Sequence, residues 1–481
     1  MNLALRPAVK STPATTSGPR GRFPGHLRFA LRSDPLRFLT RLARDYGDFV
    51  PFRMGRLPFF LVNDPEAIRE VLIARNDDFT KSPALREAKV TLGDGLLTSE
   101  GDFHKRQRRL SQPAFHPQRV ASYGDVFVRY TRDATARWRE NDPFDVHEEM
   151  MGLTLRVVAK TLFDADVQSD AGKLGEAMAV LVRMFRRATN PFAPILNRLP
   201  LPSNFRFLKA LALVRGTVER FIQERRASGV DRGDLLSMLM RARDVGGGEV
   251  SVDAEGAPAN GAVGNGDAGK MSDAQLRDEI FTLFTAGHET TANALTFTWH
   301  LLGTHPQAEA RLHEEVDRVL AGRDATSADV ERLPYVRAVL SESMRLYPPA
   351  WIITRQARKD TTVAGHRIPA EGVIMMSQWV THHDARWWPD ADTFDPGRWL
   401  GDGHARGAAE RPKYAYFPFG GGVRSCIGEA FARIEATLII ATVVQKWRLE
   451  VVNREAPALA PTITLRPRNP LMVVPRPRQL A

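Results

Sequence analysis

The chain has 481 residues, 43 % of them hydrophobic and 26 % charged, which predicts a large folded core and excludes a disordered or collagen-like chain. Its net charge of +11 comes without zinc-finger spacing, an aromatic RNA-binding signature or a dense basic tail, so it reads as an arginine-rich surface, and nucleic acid is not an expected partner. A single cysteine, Cys426, excludes internal disulfides, multi-thiolate clusters and Cys-rich zinc sites.

The first apolar run is too short for a signal peptide, and no stretch approaches the roughly 20 apolar residues of a membrane span. A cytoplasmic protein without a transmembrane anchor is therefore expected. Residues 1–33, rich in Pro, Gly, Ser and Arg, read as a loosely held arm, and 34–481 as one domain. The pattern predicts a helix over Pro35–Tyr46, strands over Phe49–Met54 and Pro58–Val62, and another helix opening at Asp64-Pro65. Helical periodicity dominates 124–242, interrupted by an apolar, proline-rich loop, Asn190–Ser203, with Phe192, Ile195 and Leu199. The low-complexity stretch 246–269 reads as a disordered surface insertion. Ser272 and Gln275 form a capping box for a long helix, with further helices at about 305–320 and 333–347. Short strands follow within 351–378, then an irregular stretch at 383–400, a glycine loop and a helix from Ile427. Thr462–Leu465 and Leu471–Val474 alternate like the strands of a hairpin. The expected fold is mainly α with small β-sheets.

The glycine loop carries the strongest signal. Phe419, Gly422, Arg424, Cys426 and Gly428 stand in one ten-residue run. Glycines let backbone approach a flat ligand, and a cysteine just ahead of a helix has its thiolate stabilised by free N–H groups and the dipole. Arg424 beside it suits a carboxylate. A lone cysteine is ordinarily a buried structural residue; these neighbours reverse that reading. Upstream, Ala286, Gly287, His288, Glu289, Thr290 and Thr291 lie midway along the helix capped by Ser272. A glycine costs about 1 kcal/mol inside a helix and needs a reason, here the close approach of a flat ligand. The Thr290 hydroxyl can bond back to the Ala286 carbonyl and loosen the ladder.

The cysteine loop resembles the haem-binding loop of the cytochrome P450 family, Phe-x-x-Gly-x-Arg-x-Cys-x-Gly, and the chain is similar to that family from about Asp34 to Arg476. The resemblance implies a haem-thiolate monooxygenase fold, with haem b between the oxygen-side helix and the cysteine-loop helix and Cys426 as the axial iron ligand. It assigns Thr290 to oxygen activation, Glu289 to proton delivery, and Ala286 and Gly287 to the oxygen-side wall; His288 is not expected to bind iron. It also implies that His104, Arg108, Arg355 and Arg424 reach the haem propionates, and that Glu342, Arg345 and Arg398 form a buried structural network. Glu66/Arg69 and Glu315/Arg318 share the Glu-x-x-Arg spacing, so context alone selects Glu342. By the same analogy Ala286, Ile352, Ile353 and Ile463 line an apolar pocket, with the 84–97 loop. The expected reaction puts one oxygen atom of O2 into a lipophilic small molecule, in a monomer. Electrons come from a ferredoxin or flavodoxin with its own reductase, and Arg411, Lys413 and Arg424 favour an acidic carrier. A peroxide-driven enzyme and a haem-based sensor or ligand-binding protein remain as alternatives; the presence of Glu289 and Thr290 argues against the first.

Overall fold

The computed structural model describes residues 18–23, 25–164, 173–177, 180–181, 196, 198–246, 249–252, 269–401 and 411–478. Chain order begins with helices α1 (His26–Ser33) and α2 (Pro35–Tyr46). Asp34 caps α2 by accepting the Arg37 N–H, Pro35 supplies a preset first turn, and Leu36, Leu39 and Leu42 bury one stripe. The segment read as a loose arm thus contains α1, held by buried Leu27; residues 1–17 lie outside the described residues.

Strands β1 (Phe49–Met54) and β2 (Leu57–Val62) form a hairpin whose turn needs Gly55 at φ +67°. With β3 (Phe79–Lys81), β7 (Ile353–Ala357) and β10 (Val373–Met376) they make a five-stranded sheet of order β1-β2-β10-β7-β3. Helices α3 (Pro65–Arg69), α4 (Gly101–Ser111), α5 (Gly124–Thr135), α6 (Val146–Phe163), α7 (Pro202–Ser228) and α8 (Leu235–Arg241) follow between β3 and β7 or precede it in order. The two-residue strand β4 (Phe144–Asp145) leads into α6. Of the apolar loop expected at 190–203, Phe192 and Ile195 lie outside the described residues, Leu199 is exposed, and α7 has begun by Pro202. Within the expected insertion, Glu249–Val252 (β6) pairs with Ala242–Gly246 (β5), so its start is a hairpin rather than loop; 253–268 lie outside the described residues.

The long helix α9 (Asp273–Thr304) opens with both hydrogen bonds of the Ser272/Gln275 capping box. Then come α10 (Pro306–Leu320), α11 (Pro334–Leu346), the small hairpin of β8 (Thr361–Val363) and β9 (His366–Ile368), and α12 (Glu429–Val444). The carboxyl-terminal strands do not pair with one another as the alternation suggested. β12 (Leu459–Pro461) pairs with β13 (Leu465–Pro467), whereas β14 (Met472–Pro477) lies between β11 (Trp447–Val451) and β4. β14 found distant partners in β11 and β4, which local alternation cannot specify. The result is a mainly α-helical single domain with small sheets. α9 runs through its centre, between the cluster of Val157, Leu295 and Leu438 and that of Val158, Phe221 and Phe284.

Candidate active site

Cys426 sits three residues ahead of the start of α12, which begins at Glu429 rather than Ile427. Its N–H donates to the Phe419 carbonyl at 2.9 Å and closes the loop. Gly422 is dictated by its neighbours: at φ +68°, an added Cβ would lie 2.2 Å from the Leu72 carbonyl oxygen, so the loop is seated on the preceding turn Glu70–Ala74. The glycine there serves backbone against backbone, not a ligand. Phe419 packs against the core and carries the Arg433 guanidinium over its ring, and Ile353 Cδ1 would touch a Cβ at Gly420. The sulfur is reachable by a water-sized sphere yet deep enough that burial pushes its thiol up, opposed by the Gly428 N–H and, more weakly, by Arg108. Such a cysteine lines an internal space. Helix position alone does not ionise it; a bound metal ion does that.

Across α9 the burial pattern defines one more wall. From Ile280 to Gly303 every residue is buried except Thr285, Ala286, Gly287 and Thr290, which share one face. A helix buried on all other sides and accessible only there borders an interior cavity. Thr290 Oγ1 donates to the Ala286 carbonyl at 2.8 Å, but the helix continues unbroken through the motif. At Gly287 an added Cβ would press on Val158 Cγ2 at 3.2 Å, so the glycine also lets α6 pack closely. His288 is buried, with Nδ1 at 3.2 Å from the Phe284 carbonyl, and burial holds the ring neutral. Glu289 is buried too, and one carboxyl oxygen accepts from Thr464 Oγ1 at 2.5 Å. Thr464 lies in the β12–β13 turn beside Ile463, which is accessible. Ile352 packs against the cluster of Leu39 and Phe52, and Ile353 against that of Phe60 and Phe417.

Between these walls lies a cluster of buried cations that sequence reasoning found only in part. Arg355 is buried on β7 and donates only to the neighbouring Thr354 carbonyl; burial, then Arg424, pulls its pKa down to about 10. Lys81, missed in the sequence, is buried on β3 and donates to the Leu96 and Ser99 carbonyls at 2.9 and 2.7 Å. Burial and the Arg424 charge lower it to about 7. Arg424 pairs with Glu100 and donates to the Ser99 carbonyl at 3.2 Å, and Arg108 donates to the Ser425 carbonyl beside the cysteine. His104 is buried and kept neutral, its pKa driven to about 3 by burial and by Arg424, Lys81 and Arg108. Glu100 is the carboxylate paired with this set. Buried charge without a partner costs several kcal/mol, so the cluster fits a ligand bringing more than one negative charge, as the two propionates of haem do. The spacing His104-x-x-x-Arg108 was a visible signal; Lys81 and Glu100 had none, since each is defined by its partners. A surface depression of about 650 Å³, lined by Asp125, Arg132, Asp324 and Lys446, contains none of these residues.

The thiolate loop is supported from α11. Glu342 accepts from Arg345 Nε and Nη2 at 2.9 and 2.8 Å, both side chains fully buried, with Arg398 Nε 3.3 Å away and Trp399 Nε1 at 2.9 Å. Arg345 also donates to the His382 carbonyl, and His382 Nε2 accepts the Phe417 N–H at 3.0 Å, two residues before Phe419. Burial keeps His382 neutral, as this acceptor role requires. Of the basic residues expected to meet a carrier, Arg411 is tucked 3.7 Å over Trp388 and Arg424 is paired, leaving Lys413 exposed.

An accessible cysteine ahead of α12, a threonine-bearing accessible face on α9 and a cluster of cations near both fit a haem-thiolate protein. Comparison with known proteins agrees: residues 18–474 match the cytochrome P450 family profile, and the chain belongs to that family. It is 39 % identical to a cyclooctatin synthase of Streptomyces melanosporofaciens over 99 % of both chains. It is 36 % identical to a pentalenene oxygenase of Streptomyces avermitilis over 87 % of both. The crystal structure of the cytochrome P450DA heme domain superposes with a TM-score of 0.82 at 25 % identity, covering 96 % of this chain and 97 % of that one. The protein is a cytochrome P450 monooxygenase with haem b as its cofactor. Among the described residues no helix is long and apolar enough to cross a membrane.

Proposed function

We propose that this enzyme hydroxylates a cyclic terpene, as a cytoplasmic monomer supplied with electrons by a separate ferredoxin or flavodoxin and its reductase. The observation that carries the reading is the accessible face of Thr285, Ala286, Gly287 and Thr290 on the otherwise buried Ile280–Gly303 stretch of α9, which gives an apolar substrate a surface whose two hydroxyls both donate back to the helix. Two similar proteins are named for the terpene compounds cyclooctatin and pentalenene, which supports this substrate class.

Haem b, bound through Cys426, supplies the activation of dioxygen and its insertion into a C–H bond. The protein's own residues do the rest. Lys81, Arg108, Arg355 and Arg424 hold the propionate side, with His104 as a neutral hydrogen-bonding neighbour. Thr290 presents its hydroxyl oxygen to the cavity while its proton goes to the Ala286 carbonyl, so that oxygen can accept a hydrogen bond there. Glu289, bonded to Thr464, holds a carboxyl group one residue away and links the β12–β13 turn to α9 for proton transfer. Ile353 and Ile463 keep the walls apolar, which excludes water from the reacting carbon.

The test is incubation of the purified protein with ferredoxin, its reductase, NADPH and a panel of cyclic terpenes and fatty acids, with products read by mass. A terpene gaining one oxygen supports the reading. Turnover of fatty acids alone, or with hydrogen peroxide but not with the electron-transfer chain, overturns it.

A further inference from the structure

The segment Gly93–Ser99 crosses from the oxygen-side helix to the thiolate loop, and it lies flush against α9. An added Cβ at Gly93 would fall 2.3 Å from the Asp278 carboxyl carbon, and one at Gly95 would fall 2.2 Å from Thr282 Oγ1. Two adjacent carboxyl groups of α9 grip alternate amides of this strap: Asp278 accepts the Asp94 N–H at 2.8 Å and Glu279 the Leu96 N–H at 3.0 Å. On the other side, Lys81 takes the Leu96 and Ser99 carbonyls, and Arg424 also takes that of Ser99. Leu96 packs against the cluster that holds Phe281 and Phe284, and Leu97 next to it is accessible. The strap therefore spans from α9 to the thiolate loop, clamped at both ends.

Asp278 belongs to the surface side of this clamp: it is half-buried and has Arg277 3.7 Å away. Glu279 is different. It is 1 % exposed, and among the described residues its second oxygen Oε1 has no partner, nor have the buried Thr282 Oγ1, Asp94 Oδ1 and Ser99 Oγ. A buried carboxyl with a single amide bond is costly, and no step of the proposed reaction uses it.

We propose that Glu279 is a positioning residue that sets substrate access: by holding the Leu96 N–H it fixes the strap and Leu97 at the cavity wall, and its charge state sets how tightly. This rests on the monooxygenase reading of the same cavity. The groups that face Glu279 are Lys81 from β3, Asp94 from the strap, itself paired to Lys89 at 2.7 Å, and Asp278 on its own helix. Burial dominates and pushes the Glu279 carboxyl up to about 8, against the Leu96 amide and Lys81, with Asp278 and Asp94 adding to the rise. Below that pH the group is a neutral acceptor; above it the carboxylate forms a stronger, charge-assisted bond to the amide. The strap tightens as pH rises.

Carbon monoxide does not titrate, so its binding rate to the reduced holoprotein after flash photolysis reports access alone. In the wild type the rate falls as pH passes 8. E279Q keeps a neutral acceptor and shows a flat profile at the low-pH value, while E279A binds about fivefold faster throughout, the effect of one lost hydrogen bond on the strap's opening. Hydrogen exchange of amides 94–99 quickens in E279A, with the rest of α9 unchanged. Equal rates and equal strap exchange in wild type, E279Q and E279A overturn the proposal. A changed carbon monoxide spectrum in the wild type itself would instead indict the haem-thiolate assignment, and E279Q tests the idea should E279A fail to fold.

Discussion

Replacing Glu342 with glutamine isolates the support of the thiolate loop. The carboxylate is fully buried and receives Arg345 through two bonds, the Asp395 N–H at 3.1 Å and the Trp399 indole at 2.9 Å, with Arg398 3.3 Å away. Arg345 cannot swing out to water, because it also donates to the His382, Ala391 and Thr393 carbonyls. The substitution leaves two guanidinium groups facing a neutral amide that turns an N–H toward one of them. Breaking a buried pair on one side costs about 3–5 kcal/mol, a large part of the roughly 5–15 kcal/mol by which proteins are stable. The control is Glu66→Gln, which removes the same i,i+3 partner of Arg69 at 2.7 Å where both side chains are about half exposed or more. Solvent screens that pair, and no measurable change is expected. Thermal unfolding followed by circular dichroism, with haem occupancy read from absorbance, distinguishes them. E342Q should lower Tm by about 5 °C or more and reduce haem retention, while E66Q matches the wild type. Equal Tm for the two variants would refute the reasoning that burial, not spacing, makes the network.

Gly422→Ala, with φ +68° and a Cβ driven into the Leu72 carbonyl, should cut haem incorporation sharply. Gly55→Ala, at φ +67° but in open space, should cost only the backbone strain of about 1 kcal/mol; urea titrations of both would show it. Lys81 is lowered from 10.5 to about 7, so between those values the unfolded chain holds a proton the folded one lacks. Apoprotein stability therefore rises with pH across that window and is at its lowest below 7; Lys81→Met should flatten the rise in chemical denaturation at pH 7 to 10.5. Thr290→Ala removes the hydroxyl from the accessible face of α9 and should lower product formed per NADPH consumed, with peroxide released instead; unchanged coupling would remove Thr290 from the chemistry.

Local rules explain why so much was visible beforehand. Asp34 and Pro35, and Ser272 and Gln275, act through neighbours a few residues away, so the sequence displays them. Cys426, Thr290 and the Glu342 network were legible because several unlike residues stand at fixed spacing. What stayed hidden is tertiary. Lys81, Glu100 and Glu279 are ordinary residues until folding brings β3, the strap and α9 together. Gly287 shows another limit: a glycine in a motif invites a ligand-based explanation, and its packing against Val158 of a neighbouring helix stays hidden. The carboxyl-terminal strands likewise alternate correctly but pair elsewhere, because alternation gives the face and not the partner.

The account stands on a sulfur–iron bond at Cys426. The direct measurement is the carbon monoxide difference spectrum of the reduced protein beside that of Cys426→Ala. The wild type should give the strongly red-shifted Soret band of thiolate ligation, and the variant should lose it while remaining folded. A wild-type band at the position of nitrogen-ligated haem, or a red-shifted band that survives in the variant, would contradict it.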